Sequence, residues 1–310
     1  MADGILVLLD ALGTSGISGQ DLKEKVKDFD LVDERVSKDI SILSHDLEQH
    51  HFSNLIFSGT IYDNFQIFLP IDVNNSSFVD VTGKNDWYWS LISIGNLLID
   101  VFRYALFHNI PIRGCITSGY GEVSRTKRIL GPVADEAACF YEITDWIGIV
   151  VTNHPAIVLN NKLSINPKKE PFEPYIKYNV PVKELIFDNT INAWKPIYRN
   201  DDSWSLRWPI QQGFEKKVTD DFIVGIPSNR TQYGDIISDD IIVERINEGT
   251  NHQNADTSKK WKNTLDFFNY VKKARFYYWI CIIITFTDND VIALDDSVTD
   301  GILEGIRTPV

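Results

Sequence analysis

Two aspartates stand where carboxylates can do chemistry. Asp10 ends the apolar run Ile5–Leu9 and opens onto Ala11, Leu12, Gly13, Thr14 and Ser15, while Asp63 lies between two β-rich runs in "SNLIFSGTIYDNFQIFLPI". Carboxylates brought together repel each other and cost stability unless a cation joins them, and hard oxygen ligands select Mg²⁺ or Mn²⁺. The backbone N–H groups of Leu12, Gly13, Thr14 and Ser15, in a turn that opens a helix, form a nest for phosphate oxygens. Each residue alone also has an ordinary use, because an Asp before Gly caps a helix and Asp63-Asn64 suits a hairpin turn. Only a fold that sets the two strand ends side by side converts them into a site for metal and polyphosphate.

The elements that would do this are legible in order. Ile5–Asp10 reads as a buried strand. "QDLKEKVKDF" and "DERVSKDISILSHDLEQH" show helical spacing behind a Thr14/Ser15 cap. The two runs around Asp63-Asn64 form a hairpin, and "DWYWSLISIGNLLIDVFRYALFHN" is a helix apolar around most of its circumference, stopping at 109–111. "IPIRGCITSGYGEV" reads as a strand leaving glycine-rich turns, "SRTKRILGPVADEAACFYEIT" as a basic loop and a helix, and "GIVVT" as a strand. This order predicts an α+β fold of the ferredoxin-like type, an antiparallel-dominated sheet with helices on one face. "YIKYNVPVKELIF", "NAWKPIYR" and "SWSLRWPI" add strands, "ERINEGTNHQNADTSKK" reads as a polar loop, and Lys259–Arg275 as an amphipathic helix. The expected division is a domain over 1–210 and a C-terminal extension over 211–310.

Composition narrows the function. The 310 residues carry a net charge of −13, against a nucleic-acid binder, so an anionic substrate needs local basic help. Cys115, Cys139 and Cys281 are odd in number, share no CxxC spacing and sit in apolar runs, which disfavours a disulfide framework or zinc site and suits a reducing, cytoplasmic setting. "FYYWICIIITF" is half a membrane span and reads as a buried element, with no membrane partner expected. His50-His51 reads as surface; Trp87, Trp89, Trp204 and Trp208 read as core.

Four motifs in sequence order carry a resemblance over about residues 5–151. "LLDALG", "IYDNFQIFLP", "IPIRGCITSGYG" and "LGPVADEAACFYE" resemble the first metal strand, the hairpin Asp strand, the R-x-G-I-x-x-G strand and the dimerisation helix of class III nucleotidyl cyclases. "YDNF", "RGCITSG", "VPVK" and "RWP" look like the divergent bacterial branch that includes the Pycsar uridylate and cytidylate cyclases of phage defence. The resemblance implies the class III cyclase fold, a homodimer with active sites at the interface, and conversion of a nucleoside triphosphate to a 3′,5′-cyclic monophosphate and pyrophosphate. It further implies two Mg²⁺ or Mn²⁺ ions per site on Asp10, Asp63 and the Ala11 carbonyl, and a signal read by a separate cyclic-nucleotide-sensing effector.

This chain departs from the familiar purine enzymes at three positions. The helix positions for ribose and transition-state contacts carry Asp135 and Cys139 instead of Asn and Arg, so the missing cation is sought among Arg113, Arg125, Lys127 and Arg128, with Arg113 assigned to catalysis and Arg128 to phosphate. The base-reading position is Gly59, flanked by Thr60, which predicts UTP as substrate. The alternatives are a purine cyclase and a non-catalytic nucleotide-binding dimerisation module.

Overall fold

The computed structural model of the protein describes residues 2–12, 19–49, 57–61, 64–71, 86–126, 128–163, 174–188, 190, 193–211, 213–219, 222–228, 230–231 and 233–287. The chain begins with β1 (Ala2–Ala11), α1 (Gly19–Gln49), β2 (Phe57–Ile61), β3 (Asn64–Pro70), α2 (Asp86–Phe107) and β4 (Ile112–Val123). These six elements form a βαββαβ unit with strand order β2-β3-β1-β4, all neighbours antiparallel, which is the expected ferredoxin-like arrangement. There follow β5 (Ile129–Leu130), α3 (Pro132–Ile143), β6 (Ile149–Val151), α4 (Asn153–Leu163), β7 (Tyr175–Asp188) and β8 (Ala193–Leu206). Strand β6 joins β4 in parallel, and β8 and β7 extend the sheet beyond it.

A strand at the centre of a sheet covered on both faces must be apolar on both, and β1 is. Ile5, Val7 and Leu9 have no exposure, and Leu6 and Leu8 are buried on the alternate face. α1 supplies an apolar stripe of Val32, Val36, Ile40 and Leu43, and its Phe29 stacks on Phe65 of β3 with ring centroids 4.8 Å apart. α2 is long and apolar enough, by length and composition, to cross a membrane, yet 72% of its most apolar stretch is buried within the protein, so it reads as a core helix. It ends at Phe107, and two residues on the chain turns at Asn109, whose positive φ of 55° is tolerated by that residue type. α3 packs on the side of the sheet that Leu6 and Leu8 face, with Val133 and Ala137 buried there.

Four readings are corrected. β4 does not stop at its glycines, because Gly119 and Gly121 stay in the strand, where Val133 lies close to both positions. "NAWKPIYR" from Ala193 on and the first half of "SWSLRWPI" lie in the one long strand β8, which ends at Leu206. Cys139 is exposed, unlike Cys115. The polar run 244–260 is not a loop. It holds most of α5 (Asp239–Thr250) and the start of α6 (Ala255–Thr287), with β9 (Gly213–Thr219), β10 (Phe222–Ser228), β11 (Arg230–Thr231) and β12 (Gly234–Asp235) before them. Ser238 caps α5 by accepting from the Asp240 N–H, and Ile242 and Ile246, one turn apart, bury its apolar edge. Two inward residues suffice to dock a short helix, which leaves the rest of the sequence polar.

The structure divides into compact units of residues 1–271 and 272–310; of the second, the described part is the last half of α6. The segment after β8 is held to α2 by a buried guanidinium. Arg103 donates to the Pro209 carbonyl at 3.1 Å, to the Ile237 carbonyl, and to Asp239 at 2.8 Å. Trp208 stacks on Phe102 at 4.6 Å from the same side. Of the tryptophans read as core, Trp204 and Trp208 are buried and Trp87 and Trp89 half-buried; His50-His51 lies outside the described residues.

Candidate active site at the end of the first strand

The β1 register places Asp10 opposite Asn64 on β3 and opposite Arg113 on β4. Arg113 Nε donates to Asp10 Oδ2 at 3.0 Å, with side chains 16% and 14% exposed. Strand alternation puts Asp10 on the same face as Leu6 and Leu8. Along that face runs a cleft of about 220 Å³ lined by Leu6, Leu8, Asn64, Gln66, Ala134 and Ala138, among others. Gln66 Oε1 is buried there without a hydrogen-bond partner among the described residues, an arrangement that costs free energy unless a ligand supplies a donor. β4 comes close to β1 because residue 114 is glycine, where a Cβ would collide with the Leu8 carbonyl oxygen.

The remaining expected residues fare unequally. Ala11 closes β1, paired with Ile112, and is buried. Leu12 is not an open nest donor, since its N–H donates to the Pro111 carbonyl at 2.8 Å and so continues the β1–β4 ladder. Gly13, Thr14, Ser15 and Asp63 lie outside the described residues, as does Lys127. The strands on either side of Asp63 end at Ile61 and Asn64, which are register partners. Gly59 is opposite Gln66 and Thr60 opposite Phe65, so Gly59 occupies a register position on the cleft face and Thr60 one on the face that packs on α1. Asp135 sits exposed in the first turn of α3, between the cleft residues Ala134 and Ala138.

Arg128 is not brought to Asp10 within the chain. Arg125 and Arg128 are exposed in the turn after Val123, ten residues along β4 from Arg113, and at about 3.3 Å per residue that separates them by about 33 Å. Two lysines of α6 that the sequence reading did not assign to the site meet the segment before β6 and the end of β4 where Arg113 lies. Lys259 on α6 pairs with Asp145 at 2.8 Å and lies 3.0 Å from the Tyr198 ring centroid. Burial pushes the Lys260 ammonium pKa down, and the charge of Arg113 pushes it further. The available signal was the adjacent lysine pair at 259–260, but it follows a polar run, and no local pattern ties α6 to β4.

A divalent cation fits the donors at this edge, which are oxygens on a half-buried strand end: the Asp10 carboxylate, the Ala11 carbonyl and the Asn64 side chain beside them. No group of three or more His, Cys, Asp or Glu side chains converges among the described residues, and Asp63, the expected second carboxylate, is not among them.

The chain matches no family model and no curated protein. Solved structures similar to it are nucleotidyl cyclases. The catalytic core of a rhodopsin-guanylyl cyclase with converted specificity, in complex with ATPαS, is 11% identical, with 65% of this chain and 97% of that chain covered and a TM-score of 0.36. The guanylyl cyclase Cya2 is 11% identical over 67% and 94% of the two chains, with a TM-score of 0.30. A bacterial light-regulated adenylyl cyclase is 11% identical over 67% and 91%, with a TM-score of 0.34.

Proposed function

We propose that the protein is a nucleotidyl cyclase that converts a nucleoside triphosphate, UTP above the others, to a 3′,5′-cyclic monophosphate and pyrophosphate. One observation carries this reading. An aspartate next to the end of the central strand of a βαββαβ sheet is in register with the first residue after the hairpin turn and with an arginine, beside a cleft that holds a buried carboxamide oxygen. In the reaction the ribose 3′-oxygen forms a bond to the α-phosphorus, the bond from that phosphorus to the bridging β-phosphate oxygen breaks, and the 3′-hydroxyl proton is lost. Two Mg²⁺ or Mn²⁺ ions on Asp10, Asp63 and the Ala11 carbonyl would neutralise phosphate charge and ease loss of that proton. Arg113 holds the Asp10 carboxylate in place from the far strand and adds a positive charge beside it.

Base choice follows from Gly59 and Gln66. Gly59 offers no side chain to read a purine, and Gln66 beside it offers a carboxamide, which can both donate and accept, as the N3–H and O4 of uracil require. Such a site rejects a base that leaves its buried groups unpaired. The protein would act as a homodimer and as a defence signal source for a separate sensing effector.

The test is incubation with each of the four ribonucleoside triphosphates and Mn²⁺, with products separated by chromatography. UTP is expected to be the best substrate and CTP second. ATP and GTP should be at least about tenfold poorer in kcat/KM, about 1.4 kcal/mol in transition-state binding. A preference for ATP or GTP would make the protein a purine cyclase. Nucleotide binding without turnover would make it a non-catalytic module, a reading favoured by Cys139 standing on α3 where the purine enzymes carry arginine.

A further inference from the structure

We propose that α6, outside the span of the cyclase resemblance, completes the substrate site: Lys260, together with Arg113 and Lys183, binds the polyphosphate of the nucleotide. This rests on reading the Asp10 edge as a nucleotide site. The geometry comes from one short segment, residues 144–148, where three distant parts of the chain meet. From β7, the Pro181 carbonyl accepts from the Asp145 N–H at 2.8 Å and Val182 bridges to Thr144, which brings up Lys183 as the next residue. From β4, the Gly114 N–H donates to the Gly148 carbonyl at 2.9 Å, with Arg113 just before it. From α6, Thr264 Oγ1 accepts from the Ile147 N–H at 2.9 Å, and Asn263 Nδ2 donates to the Asp145 carbonyl at 2.6 Å. Lys260 lies one turn before Thr264, and its own carbonyl accepts from Thr264 Oγ1 at 2.8 Å, so it shares the face that docks on this segment.

The charges then gather in one place. Asp145 is engaged by Lys259 at 2.8 Å and Asp10 by Arg113 at 3.0 Å. Lys260 is half-buried, and both Arg113 and Lys183 push against its positive charge, opposed by Asp145 and by Asp256 on its own helix. In a chain with 43 acidic and 30 basic residues, gathering like charges where Asp10 and Asp145 are each already engaged by another cation costs stability, and a polyanion that binds there removes the cost. A nucleoside triphosphate carries most of its charge on the β- and γ-phosphates, away from the base, which suits a cation set lying across Arg113 from the base cleft. α6 thereby supplies local basic charge that the net charge of the protein denies, and a cation in place of the helix arginine that Cys139 lacks.

The test uses inorganic tripolyphosphate without divalent metal, with the full-length protein. Lys260→Met keeps the apolar stem and removes the charge, and it is expected to weaken tripolyphosphate binding at least about tenfold by calorimetry, whereas Lys260→Arg restores it. With nucleotide, Lys260→Met should raise KM. In the wild type, the lysine Cε resonance that disappears in Lys260→Arg should shift on addition of tripolyphosphate, a readout that does not depend on Lys260→Met folding. Unchanged tripolyphosphate affinity in a folded Lys260→Met, or a Lys260 resonance that does not move, overturns the assignment whether or not the protein makes cyclic nucleotides. Lys260-dependent tripolyphosphate binding in a protein that turns over none of the four nucleotides would sustain the phosphate site and reject the cyclase reading.

Discussion

At the scale of single residues, the pairing of Asp10 with Arg113 decides what a substitution does. The sequence alone shows two carboxylates that repel, and removing one would then relieve strain. The structure shows Asp10 already compensated, with Arg113 Nε 3.0 Å away. Asp10→Ala therefore removes an acceptor from a half-buried guanidinium and is expected to cost about 2 kcal/mol of stability, between the values for exposed and buried ion pairs. Cyclase turnover should fall by a hundredfold or more, on the order of the loss when one electrostatic group is taken from a reacting centre. Denaturant titration and the nucleotide assay, run on the same preparation, check both halves. Metal-dependent turnover near wild type in a folded Asp10→Ala would remove Asp10 from the site.

At the scale of elements, α3 shows how one helix serves two neighbours. Its small residues look suited to close approach by a second helix, yet much of that approach is made within the chain. Val133 and Ala137 are buried on β4, and Cys115 Sγ donates to the Ala137 carbonyl at 3.3 Å. Ala134 and Ala138 border the cleft. Large apolar side chains turned outward around the start of α3 include Leu130, 59% exposed, and Tyr120, 43% exposed. If the protein dimerises through this region, as proposed, the wild type sediments as a dimer at micromolar concentration, and Leu130→Glu shifts it to monomer and lowers activity in step. A wild-type monomer with full activity would separate function from this surface.

Across the whole molecule, buried charged side chains link the helical layer to the segment after β8. Asp39 on α1 is fully buried, accepts from Arg35 Nε at 2.7 Å, and has its pKa raised from 3.8 to about 6, because desolvation outweighs the Arg35 hydrogen bond and charge; Asp100 on α2 raises it further and Lys38 opposes. Asp100, which accepts from Gln211, is raised as well, again by burial first. An acid with a higher pKa folded than unfolded takes up a proton on folding. The contribution from Asp39 is thus fully present below about pH 3.8 and is lost as the pH rises through about 6. The Asp39 carboxyl carbon should titrate by NMR with a midpoint about 6, and Asp39→Asn should flatten the stability profile between these values. A midpoint near 4 would mean that the Arg35 pair fully offsets burial.

The sequence by itself determined what depends on near neighbours along the chain. The alternation and apolar runs marked β1, the hairpin strands and α2, their order predicted the ferredoxin-like sheet, and Asp10 stood out because an acid closed an apolar strand. The tertiary structure decided what depends on partners far apart. Arg113 meets Asp10 across 103 residues, Leu12 spends its N–H on Pro111, and Arg128, a candidate by charge alone, lies at the other end of β4 from the site. The 244–260 run misled because α5, docked by Ile242 and Ile246, needs little apolar sequence, and although Lys259–Arg275 reads as a helix, nothing local shows which part of the fold its lysines meet. Periodicity reports which face of an element is buried, whereas sheet register and helix docking select what that face meets, and those choices minimise the energy of the whole core rather than of any local segment.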